Sequence, residues 1–169
     1  MRINKHINKF NWCEIKDILP DITEIKSLDL SYMGLIEFPK MSHIIIKDNF
    51  DCHDNQLTSF KDCPIIKGDF NCSYNQITSF ENCPPINGRF YCHNNLIKTF
   101  KYYPIVEGVV YSGIPLFDKI YNYSRYNNIS LLEAQVELYN KRDIELLEHI
   151  DKFPDLIAYI RLKELNKLL

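Results

Sequence analysis

Between Asn49 and Gly108 the apolar and polar positions recur with a period of twenty residues. The three units read NFDCHDNQLTSFKDCPIIKG, DFNCSYNQITSFENCPPING and RFYCHNNLIKTFKYYPIVEG. Within them Ile66, Gly68, Phe70 and Cys72 stand at alternate positions, and Ile86, Gly88, Phe90 and Cys92 repeat the set. Period two predicts a strand with one face buried. Asn75, Ile77 and Phe80 follow at wider spacing, and Cys83-Pro84 closes the unit. A unit this short has no room for a full crossover helix. Pro64, Pro84 and Pro104 also oppose one, because proline lacks the N–H and restricts its predecessor. The far side of each coil is predicted to be extended or in short 3₁₀ turns. A fixed period of this length is the signature of a solenoid.

Stacking such units about 4.8 Å apart turns repeated residues into ladders. Phe60, Phe80 and Phe100 are expected to form an aromatic column begun by Phe38, in which ring stacking adds to burial. Asn55, Asn75 and Asn95 fall where the chain must leave the strand. There a buried amide can bond turn groups of its own and the next coil, a structural role. The alternate residues point outward and are the candidate binding surface. They include Asp51 and His53, then Lys67, Asp69, Asn71 and Ser73, then Asn87, Arg89, Tyr91 and His93, and finally Glu107, Val109 and Tyr111. Tyr and Arg are enriched at binding hot spots, and Arg89, Tyr91, His93 and Tyr111 gather at one end.

The flanks depart from the period. Ile25, Leu28, Leu30 and Leu35 make an irregular first coil with Met33 in the asparagine position, widened by two extra residues around Ser42 to Ile46. Asn11 to Leu19 has a capping box, Asn11 with Glu14, and an apolar face of Trp12, Ile15, Ile18 and Leu19, which predicts a short N-terminal capping helix. After Val110 and Ser112 the repeat stops at Pro115, and helical spacing follows. Four helices are predicted: Pro115 to Asn127 with Leu116, Ile120 and Tyr123 on its face; one capped by Ser130 and Glu133 carrying Leu132, Val136 and Tyr139; one capped by Asp143 carrying Ile144, Leu147 and Ile150; and one opened by Pro154 carrying Leu156, Ile157, Ile160, Leu165 and Leu168. They are expected to cover the end of the solenoid, with part of the last left for a partner.

Composition narrows the classes. The chain has 169 residues, 46% hydrophobic, with a net charge of −2. A near-neutral chain is expected to bind neither nucleic acid nor an anionic membrane. No run approaches the length of a membrane span, and MRINKHINKF has no apolar signal region, so a cytoplasmic location is expected. Of six cysteines, Cys13 stands apart; Cys52, Cys72 and Cys92 fall on one line, one per coil. Ligands strung along a line do not converge on a metal, and a reducing compartment keeps neighbouring thiols such as Cys63 and Cys83 unpaired. They read as small buried hydrophobes. No phosphate loop, nucleophile elbow or metalloprotease motif is present. No catalytic residue, cofactor or metal is expected, His149 reads as a surface residue, and the chain is not expected to be an enzyme.

The pattern F-x-C-x-x-N-x-[LI]-x-x-F-x-x-C-P resembles the leucine-rich repeat, L-x-x-L-x-L-x-x-N-x-L, with Phe70, Cys72, Asn75 and Ile77 on its second leucine, third leucine, asparagine and fourth leucine. Lys67 and Asn87 stand where its first leucine should be, with Ile66 and Ile86 one residue earlier as substitutes. The short period and Phe-x-x-Cys-Pro ending look like the repeats of bacterial effector proteins; similar repeats occur in phage and giant-virus proteins. The ubiquitin-ligase domain of some such effectors needs a catalytic cysteine, and none follows Cys92. The resemblance implies an α/β fold: a right-handed leucine-rich-repeat superhelix with a strand-lined concave face. The expected division is an N-terminal cap at 1–24, the solenoid at 25–117 and a helical region at 118–169. The expected function is protein–protein interaction through the strand face; the alternative is an assembly protein that homo-oligomerises through its helical tail or a solenoid end.

Overall fold

The structure, a computed structural model, describes residues 21–166. The predicted N-terminal helix, Cys13 and Leu168 lie outside the described residues. Residues 21–97 and Tyr102–Gly113 form one compact unit, and Lys98–Lys101 with residues 114–166 form another.

The first unit is a parallel β-solenoid of about four turns. Its strands are β1 (Glu24–Ile25), β2 (Leu28–Asp29), β3 (Ile45–Ile46), β4 (Phe50–Asp51), β5 (Ile65–Ile66), β6 (Phe70–Asn71), β7 (Phe90–Tyr91) and β8 (Val110–Tyr111). They make two sheets, ordered β1-β3-β5 and β2-β4-β6-β7-β8. The alternating run from Ile66 to Cys72 is therefore not one strand. A bend at Lys67 and Gly68 divides it. Gly88 N donates to Gly68 O at 3.0 Å and Gly108 N to Gly88 O at 3.1 Å, so stacked backbones meet at this bend. A Cβ on Gly68 would overlap the Asp48 carbonyl, and one on Gly108 the Gly88 carbonyl. Glycine is required there by close approach, not by a special φ.

The register explains the irregular coil. Leu28 pairs with Phe50, and Phe50 with Phe70, while Ile45 pairs with Ile65. The first coil's extra length thus falls between β2 and β3, around Ser42 to Ile44. Ile25, Ile46 and Ile66 lie in register, with Ile86 next, and all are buried. They fill the place from which Lys67 and Asn87 are displaced outward.

The solenoid core carries two aromatic columns. Phe60 and Phe80 stack at 6.4 Å and 11°. Phe50, Phe70 and Phe90 form a second column, at 5.3 Å and 5.6 Å between centroids. The columns meet edge to face, Phe60 against Phe70 at 6.0 Å and Phe80 against Phe90 at 6.2 Å. Phe38 meets Phe50 one coil earlier at 5.9 Å, with the rings tilted by 46°. Phe100 belongs to the helical unit, where it stacks on Phe117 at 4.1 Å and Phe153 at 5.3 Å. Cys52, Cys63, Cys72 and Cys92 are buried free thiols and Cys83 is partly exposed. Burial pushes the thiols of Cys52, Cys63, Cys72 and Cys83 well above their ordinary range, which disfavours the reactive thiolate in all four and leaves the partly exposed Cys83 the most accessible of them.

The asparagine ladder ties the coils together. Asn75 Oδ1 accepts from Leu57 N at 2.9 Å, and its Nδ2 donates to the carbonyls of Cys52, Cys72 and Ser73. Asn55 accepts from Met33 N and Leu35 N and donates to Leu30 O, Cys52 O and His53 O. Asn95, half-buried, repeats the pattern with Ile77 N, Cys72 O, Cys92 O and His93 O. The inter-coil bonds thus run to the preceding coil, not the next. The residues before these amides, Asp54, Tyr74 and Asn94, have φ of 52°, 54° and 52°. The left-handed turn aims backbone groups at the amide.

The helical unit contains α1 (Pro115–Asn127), α2 (Leu131–Asn140), α3 (Ile144–Glu148), a 3₁₀ turn (Ile150–Lys152) and α4 (Pro154–Leu165). Ser130 and Glu133 make the predicted capping box, and Asp143 Oδ1 accepts from Leu146 N at 3.1 Å. Leu116 and Ile120 of α1 and Leu156 of α4 are buried as predicted, while the faces of α2 and α3 shift. In α2 the buried residues are Ala134, Gln135 and Leu138, with Leu132 exposed; in α3 Leu146 is buried while Ile144 and Leu147 are exposed. The core joins Leu116, Ile120, Ala134, Leu138, Leu146, Phe153 and Leu156. Lys119 Nζ donates to Asp143 Oδ2 at 2.6 Å, which holds the Asp143 carboxyl below its usual range. No helix of the described residues is long and apolar enough to cross a membrane.

Candidate functional site

The outward face of the second sheet is built by register. Asp29, Asp51, Asn71, Tyr91 and Tyr111 follow one another rung by rung. Two residues on, the next column holds Ser31, His53, Ser73 and His93; on the other side stand Asp69 and Arg89. Of the predicted surface residues, Asp51, Asn71, Tyr91 and Tyr111 stand in this sheet and His53, Asp69, Ser73, Arg89, His93 and Val109 flank it in two different chemical settings, whereas Lys67, Asn87 and Glu107 lie across the bend, beside the first sheet.

At the first coils the face is acidic and internally bonded. Asp29 Oδ1 accepts from Ser31 N at 2.9 Å and Ser31 Oγ at 2.6 Å. Asp51 Oδ1 takes His53 N at 3.0 Å and lies 2.6 Å from His53 Nδ1. Asn71 Oδ1 accepts from Ser73 N and Ser73 Oγ, and its Nδ2 donates to Asp51 Oδ2 at 3.2 Å. These are Asx turns, which hold the backbone as it leaves the strand. Asn71 therefore does not simply point to water; it is half-buried and bonded. Ser73 is a clearer correction, since it is 3% exposed. Its hydroxyl is bonded to Asn71 Oδ1 at 2.6 Å. The imidazole of His53 also has its Nε2 at 3.6 Å from Asp54.

At the later coils the column changes from carboxylate and amide to aromatic. Tyr91 and Tyr111 stack at 4.7 Å with their planes 3° apart, the spacing of adjacent coils. Tyr111 is 44% exposed and the neighbouring Val109 is 51% exposed. The Tyr91 hydroxyl bonds the Arg89 guanidinium and, with Asp69 nearby, raises its pKa. Asp69 Oδ1 also accepts from Arg89 N at 2.8 Å. Arg89, Tyr91, Tyr111 and Asp69 thus form one group; Asp51, His53 and Asn71 form another; His93 packs edge-on to Tyr74 at 5.3 Å.

Two tyrosines escaped the sequence reading. Tyr32 and Tyr74 are 69% and 51% exposed, and Tyr32 meets His53 edge to face at 4.8 Å. Asp54 beside the Tyr32 hydroxyl pushes its pKa up. Both occupy left-handed turn positions, at φ 58° and 54°, which aromatic residues rarely adopt. The available signal was their place in the repeat, one before the asparagine or its equivalent.

Among the described residues no group of three or more His, Cys, Asp or Glu side chains is disposed to hold a metal ion. The face presents carboxylates at one end and a flat aromatic pair with a guanidinium at the other. No family model matches the chain, and neither a curated protein nor a solved structure matches it.

Proposed function

We propose that the protein is a short-period leucine-rich-repeat module that binds a protein partner through its strand face. The buried asparagine ladder supports the leucine-rich-repeat reading, because each amide bonds backbone groups of two coils at the repeat's own asparagine position. The observation that carries the binding reading is the change along a single outward column, from Asp51 to the stacked Tyr91 and Tyr111 beside Arg89. A solvated surface needs no such order, and rigid tyrosines present contact area at low entropic cost. The partner that fits is an extended segment with a basic residue for the Asp51 end and an apolar or acidic group for the Tyr91 and Arg89 end. Binding, not catalysis, is the role assigned to this face.

The second reading, self-assembly through the helical tail, is favoured by one feature: Leu162 and Leu165 on α4 are each 59% exposed. Affinity capture separates the two. An Arg89→Ala, Tyr91→Ala variant should lose partner capture, with dissociation constants raised about thirtyfold or more if both are hot-spot residues, while its melting temperature stays near that of the parent. Normal capture by that variant, with loss in a Leu162→Glu, Leu165→Glu variant, would transfer the function to the tail.

A further inference from the structure

Asn87-Gly88 is the one asparagine–glycine pair of the chain. It forms the bend between the Ile86 bridge and β7. An asparagine before glycine reacts with its own backbone: the amide nitrogen of the following residue attacks the side-chain carbonyl carbon. Glycine, with no Cβ, leaves that nitrogen unhindered and lets the backbone rotate into the ring. The equivalent bends carry Lys67-Gly68 and Glu107-Gly108. Lysine has no side-chain carbonyl, and a glutamate carboxylate is a poor electrophile. Of the three bends, the middle one alone has the reactive pair.

The electrophile is open and the nucleophile is engaged. The Asn87 side chain is exposed, so water and hydroxide reach its carbonyl. Gly88 N donates to Gly68 O at 3.0 Å, and Gly88 O accepts from Gly108 N at 3.1 Å. Gly88 is thus tied to the coil on either side of it. Its packing is close: an added Cβ would lie 2.5 Å from Gly68 C and 2.4 Å from Asp69 Oδ1. Ring closure needs the Gly88 N–H proton removed and the nitrogen turned onto Asn87 Cγ. Both require the bond to Gly68 O to break. The close inter-coil contact that makes glycine necessary at this bend therefore restrains the chemistry that glycine permits.

We propose that Asn87 is a modification site gated by opening of this coil pair, with water as its co-reactant. When the pair opens, Gly88 N bonds to Asn87 Cγ and gives its proton to water; the side-chain nitrogen takes up a proton and leaves as ammonia. Water then opens the succinimide ring at either carbonyl, leaving aspartate or isoaspartate. The isoaspartyl form routes the main chain through Cβ and so adds a backbone atom to the bend. The bend then no longer sets the Ile66–Ile86 bridge and the Phe70–Phe90 pair in register together. On the strand-face reading this displaces Arg89 and Tyr91; the modification itself does not rest on that reading. Peptide mass spectrometry of the full chain, incubated in mildly alkaline buffer with and without unfolding guanidinium chloride, tests it. In the unfolded chain Asn87 should be the first asparagine converted. In the folded protein its conversion should be at least about tenfold slower, because only the open fraction reacts, and hydrogen exchange at the Gly88 amide should be slowed by the same bond. Once refolded, isoaspartyl chains should melt below an Asn87→Asp variant, which carries the new charge without the extra atom and should melt near the parent. Equal conversion rates in folded and unfolded protein, an unprotected Gly88 amide, another asparagine converting first, or isoaspartyl chains as stable as Asn87→Asp would each overturn the proposal.

Discussion

Replacing Asn75 with alanine removes four hydrogen bonds, but they are not equivalent. Cys52 O keeps the Asn55 amide, Cys72 O keeps the Asn95 amide, and Ser73 O keeps Asp54 N. Leu57 N has no such second partner: its 2.9 Å bond to Asn75 Oδ1 is lost, and Leu57 is fully buried. One orphaned buried N–H costs about 1–3 kcal/mol, and the cavity left by the amide adds to it, for a total of about 2–4 kcal/mol. Asn71→Ala breaks bonds at a half-buried site that water reaches, and should cost about 1 kcal/mol. The shared carbonyls give a sharper test. Asn75 and Asn95 both donate to Cys72 O, so removing either leaves it one donor and removing both leaves it none. The double variant should therefore be destabilised by about 1 kcal/mol more than the sum of the singles. Urea unfolding of the parent, the two singles and the double, followed by far-ultraviolet circular dichroism, measures the cycle. Additivity within about 0.3 kcal/mol would refute the ladder as a coupled device, and equal midpoints for Asn71→Ala and Asn75→Ala would refute the assignment of the two faces.

Other outcomes follow from the same geometry. Gly68→Ala should cost about 2–3 kcal/mol, because its Cβ meets the Asp48 backbone, whereas Gly34→Ala, with open space but φ 66°, should cost about 1 kcal/mol; chemical unfolding compares them, and equal costs would remove close approach as the reason for glycine at the bend. A thiol reagent should reach Cys83 in the native protein before Cys52, Cys63 and Cys72, which should react only on unfolding; mass spectrometry of partially labelled protein gives the order. The Asp143 carboxyl has a folded-state pKa lowered chiefly by Lys119, so its stabilisation is present above the ordinary carboxylate value of about 3.9 and is lost as pH falls through the lowered folded value. Asp143→Asn should remove that acid-side dependence at a cost below about 1 kcal/mol, since the pair is largely solvent-screened; an unchanged acid limb in a pH series of melting temperatures would contradict this.

What the sequence determined by itself was whatever depends on local spacing. The period gave the coil and its ladders, because each unit cannot bury its apolar face alone and must stack. Pro115, Ser130 with Glu133, Asp143 and Pro154 marked four helix starts, because caps and first-turn prolines act within one turn of backbone. Alternation sent Tyr91 and Tyr111 outward in adjacent coils, and their 4.7 Å stacking follows from strand spacing. The tertiary structure decided what depends on neighbours remote in sequence. The bend at Gly68 and Gly88, which splits the strand into two sheets, exists because stacked backbones meet there. Ser73 alternates outward like its neighbours, yet its short side chain is buried, with the hydroxyl bonded to Asn71 Oδ1 at 2.6 Å. The Asn75 amide reaches back to Leu57 and not forward, a direction set by how successive coils are offset. In α2 the exposed Leu132 and buried Gln135 show that helical spacing fixes a face only once a neighbour's position is known. Periodicity specifies which residues share a column or a face; burial and bonding are specified by what the next coil or helix brings against them.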